Sequence, residues 1–106
     1  MGKCIIVEGR ADKLRIEPIL AENVTILCTN GTISEVDLID LLAAYEQDEI
    51  VTFFDADKNG EKLRKLMNRV YPEAQQFIIP QQYNEVEKTP IVILRDLLQQ
   101  AKFLVR

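Results

Sequence analysis

Histidine and tryptophan are absent from the 106 residues, and cysteine occurs only twice. Without imidazole, no Ser-His or Cys-His nucleophile can be assembled, and two separated cysteines make no zinc site. Cys4 and Cys28 lie inside the apolar runs Cys4-Ile5-Ile6-Val7 and Ile26-Leu27-Cys28, where buried free thiols are expected rather than a disulfide framework. No apolar run approaches the ~18–20 residues that cross a bilayer, which excludes a membrane-spanning helix. The start, Met1 to Glu8, lacks the apolar stretch and cleavage site of a secretory leader. Ile6 stands where myristoylation needs Ser or Thr. A cytoplasmic protein without a membrane partner is expected. Basic residues are outnumbered 13 to 17, for a net charge of −4. Diffuse attraction to nucleic acid is therefore not expected, and a polyanion would have to be met by a metal ion or a local basic patch. Glycine and proline number only 4 each, with no linker or low-complexity tract, and the length suits one domain over residues 1–106. Acid–base or metal chemistry must run on Asp and Glu.

What is present is an alternation of short apolar runs and helical periodicities. Lys3–Val7 is a continuous β-branched-rich run, expected to form a buried strand. Ala11–Glu17 reads as a short helix with Leu14 inward, ended or kinked by Pro18. Val24–Cys28 is a second strand, followed by the turn Thr29-Asn30-Gly31-Thr32. Ser34-Glu35-Val36-Asp37 fits a capping box, with Val36, Ile39, Leu42 and Ala43 as the inner stripe of the helix it opens. Ile50–Phe54 is the third strand. Leu63, Leu66, Met67 and Val70 fall at i, i+3, i+4 and i+7 of a helix that ends before Pro72. Phe77–Ile79 is a fourth strand closed by Pro80, and Gln81–Lys88 a polar loop. Thr89 as N-cap and Pro90 at the first helical position open a last helix, with Ile91, Leu94, Leu97, Leu98 and Ala101 inward. This β-α-β-α-β-α-β-α order predicts an α/β fold, a parallel sheet with helices on its faces.

Ligands of open α/β sheets bind beyond the carboxyl ends of the strands. Strand one runs into Glu8-Gly9, strand two into Asn30-Gly31, and strand three into Asp55-Ala56-Asp57-Lys58-Asn59-Gly60. A parallel sheet brings these ends to one edge, so Glu8, Asp55 and Asp57 are expected to converge. Residues i and i+2 of an extended segment point to the same side, which lets Asp55 and Asp57 face one ion. Crowded carboxylates raise one another's proton affinity or recruit a cation. Oxygen-only ligands select a hard ion such as Mg2+. Gly9, Gly31 and Gly60 permit unusual backbone angles or close approach of a ligand, and each also suits a turn or helix entry.

Blander readings compete. An Asp-x-Asp beside a turn is commonly solvated punctuation, and Glu8 alone reads as a surface carboxylate. Their shared position at strand ends favours a site. Asp55 to Gly60 also matches the first half of a calcium-binding EF-hand loop, but that loop would end on Leu66 where a bidentate Glu is required. A phosphoacceptor receiver domain would need an acidic pair after strand one and a fifth strand, and neither is present. Lys62, Lys65 and Arg69 read as a solvated face opposite the Leu63-Leu66-Met67-Val70 stripe. Arg10 and Lys58, beside the carboxylates, are the better candidates for substrate binding. Tyr45, Tyr71 and Tyr83 read as core or surface tyrosines.

Three segments, Val7-Glu8-Gly9-Arg10-Ala11-Asp12, Asn30-Gly31-Thr32 and Phe54-Asp55-Ala56-Asp57-Lys58-Asn59-Gly60, together resemble the Toprim domain. That is the catalytic module of topoisomerases, bacterial primases and ribosomal-RNA-maturing ribonucleases. The chain looks like the stand-alone small Toprim proteins of bacteria, firmly over about residues 1–80. The resemblance implies a Rossmann-like four-stranded parallel sheet flanked by helices. It implies Mg2+ (with Mn2+ as a substitute) on Asp55 and Asp57, and Glu8 as general acid/base or third metal ligand. Gly9, Gly31 and Gly60 match the glycines that shape the site, and Gly31 and Gly60 join Arg10 and Lys58, which lie beside the carboxylates, as expected substrate-binding residues. The implied activity is a Mg2+-dependent phosphodiester hydrolase or phosphotransferase on nucleic acid, RNA or single-stranded DNA. The alternative is a non-catalytic module that binds metal and a nucleic-acid or protein partner. The nucleophilic tyrosine context, zinc module, ATPase and added C-terminal domain of the larger family members have no counterpart in these residues, so a protein partner supplying the substrate-binding surface is also implied.

Overall fold

A computed structural model describes residues 2–106. Four strands, β1 (Lys3–Val7), β2 (Thr25–Cys28), β3 (Glu49–Phe54) and β4 (Gln75–Ile78), form one parallel sheet in the order β2-β1-β3-β4. The chain first steps from β1 to one side, then returns past it to build β3 and β4 on the other. The reversal lies between β1 and β3, and an open α/β sheet offers its ligand crevice at the carboxyl ends of such a pair.

Helix α1 (Arg10–Ile16) follows β1, α2 (Glu35–Leu42) follows β2, α3 (Lys58–Val70) follows β3, and α4 (Ile91–Gln100) follows the loop after β4. Strand residues alternate between two cores. Ile5, Val7, Val51 and Phe53 meet Ile16 of α1 and Leu94 and Leu98 of α4 on one face. Cys4, Ile6, Ile50 and Phe54 meet Leu38 and Leu42 of α2 and Leu63 and Met67 of α3 on the other. Both faces are covered, which is why β1 reads as an unbroken apolar run. Phe53 and Phe77 stack with ring centroids 5.4 Å apart. Burying each of these large side chains stabilises the fold by about 1.5–3 kcal/mol.

The predicted α/β architecture is present, with differences in which helical face turns inward. Leu14 is 52% exposed, and Asp12 and Ile16, one turn apart, hold the inner face of α1 instead. In α2, Val36 and Ile39 point outward, while Leu38 and Leu42 are buried. The segment is so rich in aliphatics that two stripes are available, and the sheet takes the i, i+4 pair. Ala43 is exposed and begins a 3-10 turn, Ala43–Tyr45. Pro18 sits in a 3-10 turn, Glu17–Ile19, that closes α1. The last helix is capped by Pro90, not Thr89, whose buried hydroxyl donates to the Glu85 carbonyl at 2.8 Å. Ile91 lies on the exposed side, and Leu94 and Leu98 are the buried residues of the helix. Strand β4 starts two residues before the predicted Phe77 and ends at Ile78; Ile79 lies past it, fully buried.

Ser34 caps α2 as its spacing predicts, accepting a hydrogen bond from the Asp37 amide at 3.1 Å. Ser34→Ala is therefore expected to lower stability by about 1 kcal/mol. A shift in the urea midpoint with an unchanged slope would check it.

Both cysteines are free thiols, Cys4 fully buried and Cys28 half-buried. Burial, with Asp48 nearby, pushes the Cys4 thiol up to about 12, so it is an inert core group.

Candidate active site

The first acidic residue, Glu8, follows β1 directly. Its carbonyl accepts from the Asn30 amide at 2.7 Å and the Gly31 amide at 3.2 Å, so the turn after β2 wraps around it. Asn30 (φ 60°) and Gly31 (φ 90°) both adopt left-handed backbone there, which explains the Asn-Gly pair. The Glu8 side chain is buried and points at β3. Its Oε2 accepts from the Asp55 amide at 2.6 Å, and its Oε1 from Asn59 Nδ2 at 2.7 Å.

Asp55 comes immediately after β3. Its Oδ1 accepts from the Val86 amide at 2.8 Å, and the Ala56 amide donates to the Asn84 carbonyl at 2.7 Å. The loop after β4 is thus strapped over the end of β3. Val86 and half-buried Tyr83 anchor that loop in the core, although its sequence reads as polar. Asp57 occupies the N-cap of α3, with Oδ1 accepting from the Gly60 amide at 2.8 Å. The second carboxylate oxygen of each aspartate accepts no hydrogen bond among the described residues.

Burial drives the Asp55 carboxyl up to about 7; the Val86 amide opposes the rise, and the charges of Glu8, Asp12 and Asp57 add to it. Asp12 is raised to about 6 by burial, against its bond from the Gly9 amide, with Glu8, Glu87 and Glu85 contributing. The edge of the sheet therefore concentrates negative potential in a partly dry place.

Gly60 is buried against β3. A Cβ built on it would stand 1.8 Å from the Asp55 carbonyl oxygen and 2.8 Å from its carbonyl carbon. The first turn of α3 can rest on the Asp55 peptide only with glycine there. Arg64, one turn on, donates from Nη1 to the same carbonyl at 2.8 Å. Gly31 meets nothing within 4 Å, so its role is its backbone angle. Arg10 and Lys58 are exposed and make no side-chain hydrogen bond among the described residues, whereas Lys65 and Arg69 pair with Glu61 and Glu35. Lys58 and Asp57 border an open cleft of about 510 Å3 floored by Ile78, Ile79 and Pro80. A slightly larger hollow of about 550 Å3 lies at the amino ends of the strands, around Lys3, Glu49 and Gln75, away from the acidic edge.

The edge thus brings Glu8 and Gly60 against Asp55, with Asp57 on the cap of α3 and Lys58 and Arg10 exposed nearby, but among the described residues the three carboxylates do not converge on one ion position as expected. Sequence reading missed Asp12, Asn59 and Thr32. Asp12 lay inside a quoted motif, yet an acid in a first helical turn looks like a routine cap. Asn59 and Thr32 also lie inside the segments that carry the resemblance, but nothing in their spacing pairs Asn59 with Glu8 or Thr32 with Asn59.

The fold is thus a reversed parallel sheet flanked by helices, with acidic residues following β1 and β3 at one edge. The Toprim domain family model matches residues 3–86, and the chain belongs to that family. It is 44% identical to the small TOPRIM domain protein from Bacillus stearothermophilus, whose structure superposes with a TM-score of 0.96 over all of this chain and 90% of that one. It is 41% identical over 90 residues to the uncharacterized protein YusF of Bacillus subtilis, covering 85% of this chain and 62% of YusF. Ribonuclease M5 1 of Ligilactobacillus salivarius is 36% identical over 69 residues, 64% of this chain and 36% of the ribonuclease. The chain spans less than two thirds of the length of these two relatives. Among the described residues no helix is long and apolar enough to cross a membrane.

Proposed function

We propose that this chain is a Mg2+-dependent phosphodiester hydrolase or phosphotransferase acting on nucleic acid, RNA or single-stranded DNA, in the cytoplasm. One observation carries the reading. Asp55 and Asp57, just past β3 at the strand reversal, each keep one carboxylate oxygen free of hydrogen bonds among the described residues, with the buried Glu8 carboxylate bonded to the Asp55 amide beside them. Such oxygen donors at the carboxyl ends of parallel strands suit a hard divalent cation.

The residues fit a hard divalent ion on two carboxylates. Asp55 and Asp57 each retain an unbonded oxygen, and Mg2+ commonly takes one or two carboxylates and completes its shell with water and phosphate. Mn2+ fits the same donors. Among the described residues no three acidic side chains gather around a single ion position, so the fit is to the aspartate pair, with Glu8 beside it. Mg2+ bound there would neutralise a phosphate and the charge developing in the transition state.

Glu8 would accept or return a proton at the attacking or leaving oxygen, a role that contributes roughly 10²–10⁴-fold where it operates. Lys58 and Arg10, the free cations of the rim, would hold the flanking phosphates. Gly60 shapes the site from beneath by letting α3 close on Asp55, and Gly31 by turning the β2 loop onto Glu8. Ribonuclease M5 1, similar over 69 residues, supports an RNA-directed reading.

The test is incubation of the purified protein with labelled RNA and single-stranded DNA in Mg2+ or Mn2+. Cleavage that disappears with EDTA and in Asp55→Asn is expected. No cleavage at any metal concentration, or cleavage that survives Asp55→Asn, would remove the reading. A second reading follows from the scarcity of free cations at the rim and the net charge of −4. In it the module binds a metal without turnover and depends on a partner, protein or nucleic acid, for its substrate-holding surface. Metal binding with an inert nuclease assay and a stable co-purifying partner would favour it.

A further inference from the structure

We propose that the cleft between the first turns of α3 and the carboxyl end of β4 is a subsite for one unpaired nucleotide, with its base against Ile78 and Pro80 and its phosphate between Lys58 and Arg64. The proposal rests on the reading of the neighbouring carboxylates as a nucleic-acid phosphodiester centre, and it narrows the substrate to single strands.

The cleft exists because α3 crosses the sheet obliquely. Gly60 rests on the Asp55 peptide at the end of β3. The helix reaches β4 only farther along, where Gln76 Nε2 donates to the Arg64 carbonyl and to Asn68 Oδ1, both at 3.0 Å. Gln76 and Ile78 pair in register with Thr52 and Phe54, so both turn to the face that α3 covers. The helix covers Gln76 but not Ile78, which remains 60% exposed. A single exposed aliphatic is ordinary on a protein surface. Ile78 differs because, with half-buried Pro80, it floors a hollow of about 510 Å3. That volume falls within the roughly 300–1,000 Å3 of pockets that take small ligands.

Four charged side chains border the hollow: Lys58, Arg64, Asp57 and Glu61. The acids are committed. Glu61 pairs with Lys65, and Asp57 accepts from the Gly60 amide, which removes that amide as an anion donor. The cations are less so. Among the described residues Lys58 makes no side-chain hydrogen bond, and Arg64 donates only from Nη1, to the Asp55 carbonyl. The remaining guanidinium N–H groups are left for an anion, and their planar fork matches a phosphate.

An apolar floor beside two open cations suits a ligand that is apolar-faced at one end and anionic at the other. A nucleotide is both, and Asp57 joins the cleft to the acidic edge where a phosphodiester would react. In a duplex each base is stacked on both faces and paired along its edge, so only an unpaired, splayed base can lie on this floor. The hollow at the amino ends of the strands lacks this combination. Its Lys3 is already bonded to Glu22 and to the Lys102 carbonyl.

The test titrates the isotope-labelled full chain with uridine 5′-monophosphate, ribose 5-phosphate and uridine, in EDTA and again in Mg2+, following backbone amides by NMR. The nucleotide should shift the amides of Lys58, Arg64, Ile78 and Ile79, and bind about tenfold tighter than ribose 5-phosphate. Ile78→Ser changes an exposed side chain and should leave the fold intact. It should bring the nucleotide down to the affinity of the sugar phosphate and leave the sugar phosphate unchanged. Lys58→Gln should weaken both. By fluorescence anisotropy, a short oligouridylate should bind about tenfold tighter alone than annealed to its complement. Equal affinities for nucleotide and sugar phosphate, shifts confined to other surfaces, or unchanged nucleotide binding in Ile78→Ser would overturn the proposal. So would equal binding of single strand and duplex, or no binding at millimolar nucleotide. None of these readouts requires cleavage. Base-dependent binding in a protein that neither cleaves nor responds to Mg2+ would remove the enzymatic reading and keep the subsite. Cleavage without base-dependent binding would remove the subsite alone.

Discussion

Gly60→Ala is expected to destabilise the fold by roughly 3 kcal/mol or more, and to abolish divalent-metal binding in whatever fraction stays folded. The added methyl would lie 1.8 Å from the Asp55 carbonyl oxygen. That neighbour is backbone, not the yielding end of a side chain, so α3 must lift away from β3. Lifting it breaks the Asp57 cap on the Gly60 amide and the Arg64 bond to the Asp55 carbonyl, and it moves both aspartates. Gly9→Ala provides the contrast. The nearest heavy atom to its added methyl is an Asp12 carboxylate oxygen at 4.0 Å, and its φ of −148° suits any residue. It should change stability by no more than about 0.5 kcal/mol. Urea unfolding of the two variants in parallel, with Mn2+ titration, decides the matter. Equal midpoints for Gly60→Ala and wild type would show that the helix–strand junction tolerates a side chain.

Asp55→Asn is expected to make the metal-free chain more stable at pH 8, on the order of 2 kcal/mol after discount for partial exposure, while removing its response to Mg2+. The Asp55 and Asp12 carboxyls are raised in the folded chain to about 7 and about 6 from 3.8. Between pH 4 and 7 the folded chain therefore binds more protons than the unfolded one. The associated stability is complete below about pH 4 and is lost as pH rises through the folded values. Glu22 is shifted the other way, lowered by its bond from the Leu104 amide and by Lys3, and its contribution is lost only as pH falls through its lowered value. Metal-free protein should consequently melt higher at pH 5 than at pH 8. Asparagine keeps an oxygen to accept the Val86 amide and removes the crowded charge, which flattens that profile. Added Mg2+ should restore the wild type at pH 8 by mass action and leave Asp55→Asn unmoved. A wild-type melting temperature that rises from pH 5 to pH 8 in EDTA would contradict the burial and crowding that raise these two carboxyls.

The sheet was legible because its strands are short apolar runs separated by helix-length segments. Ile5, Ile6 and Val7 carry no alternation, and that itself pointed to a strand covered on both faces. Glu8, Asp55 and Asp57 were legible because parallel strands place all their carboxyl ends at one edge. The inner faces of the helices were less so. In Val36-Asp37-Leu38-Ile39-Asp40-Leu41-Leu42 more than one stripe satisfies helical spacing, and only the neighbouring Met67 and Phe54 choose Leu38 and Leu42. Thr89 resembles an N-cap in sequence, but the loop before α4 uses its hydroxyl internally. Asp12 was obscured because its bond from the Gly9 amide, three residues back, is that of an ordinary helix start, and Asn59 because its role arises from a long-range contact. The bond from Asn59 to Glu8 spans 51 positions of sequence, beyond the reach of any local pattern.

The central claim is that the carboxylates after β1 and β3 form one divalent-cation site. Anomalous diffraction from crystals soaked in Mn2+ tests it most directly. A single strong peak at Asp55 and Asp57, missing from Asp55→Asn crystals, is expected. Manganese bound elsewhere on the chain, or no peak at this edge at millimolar Mn2+, would leave an α/β scaffold without the chemistry assigned to it.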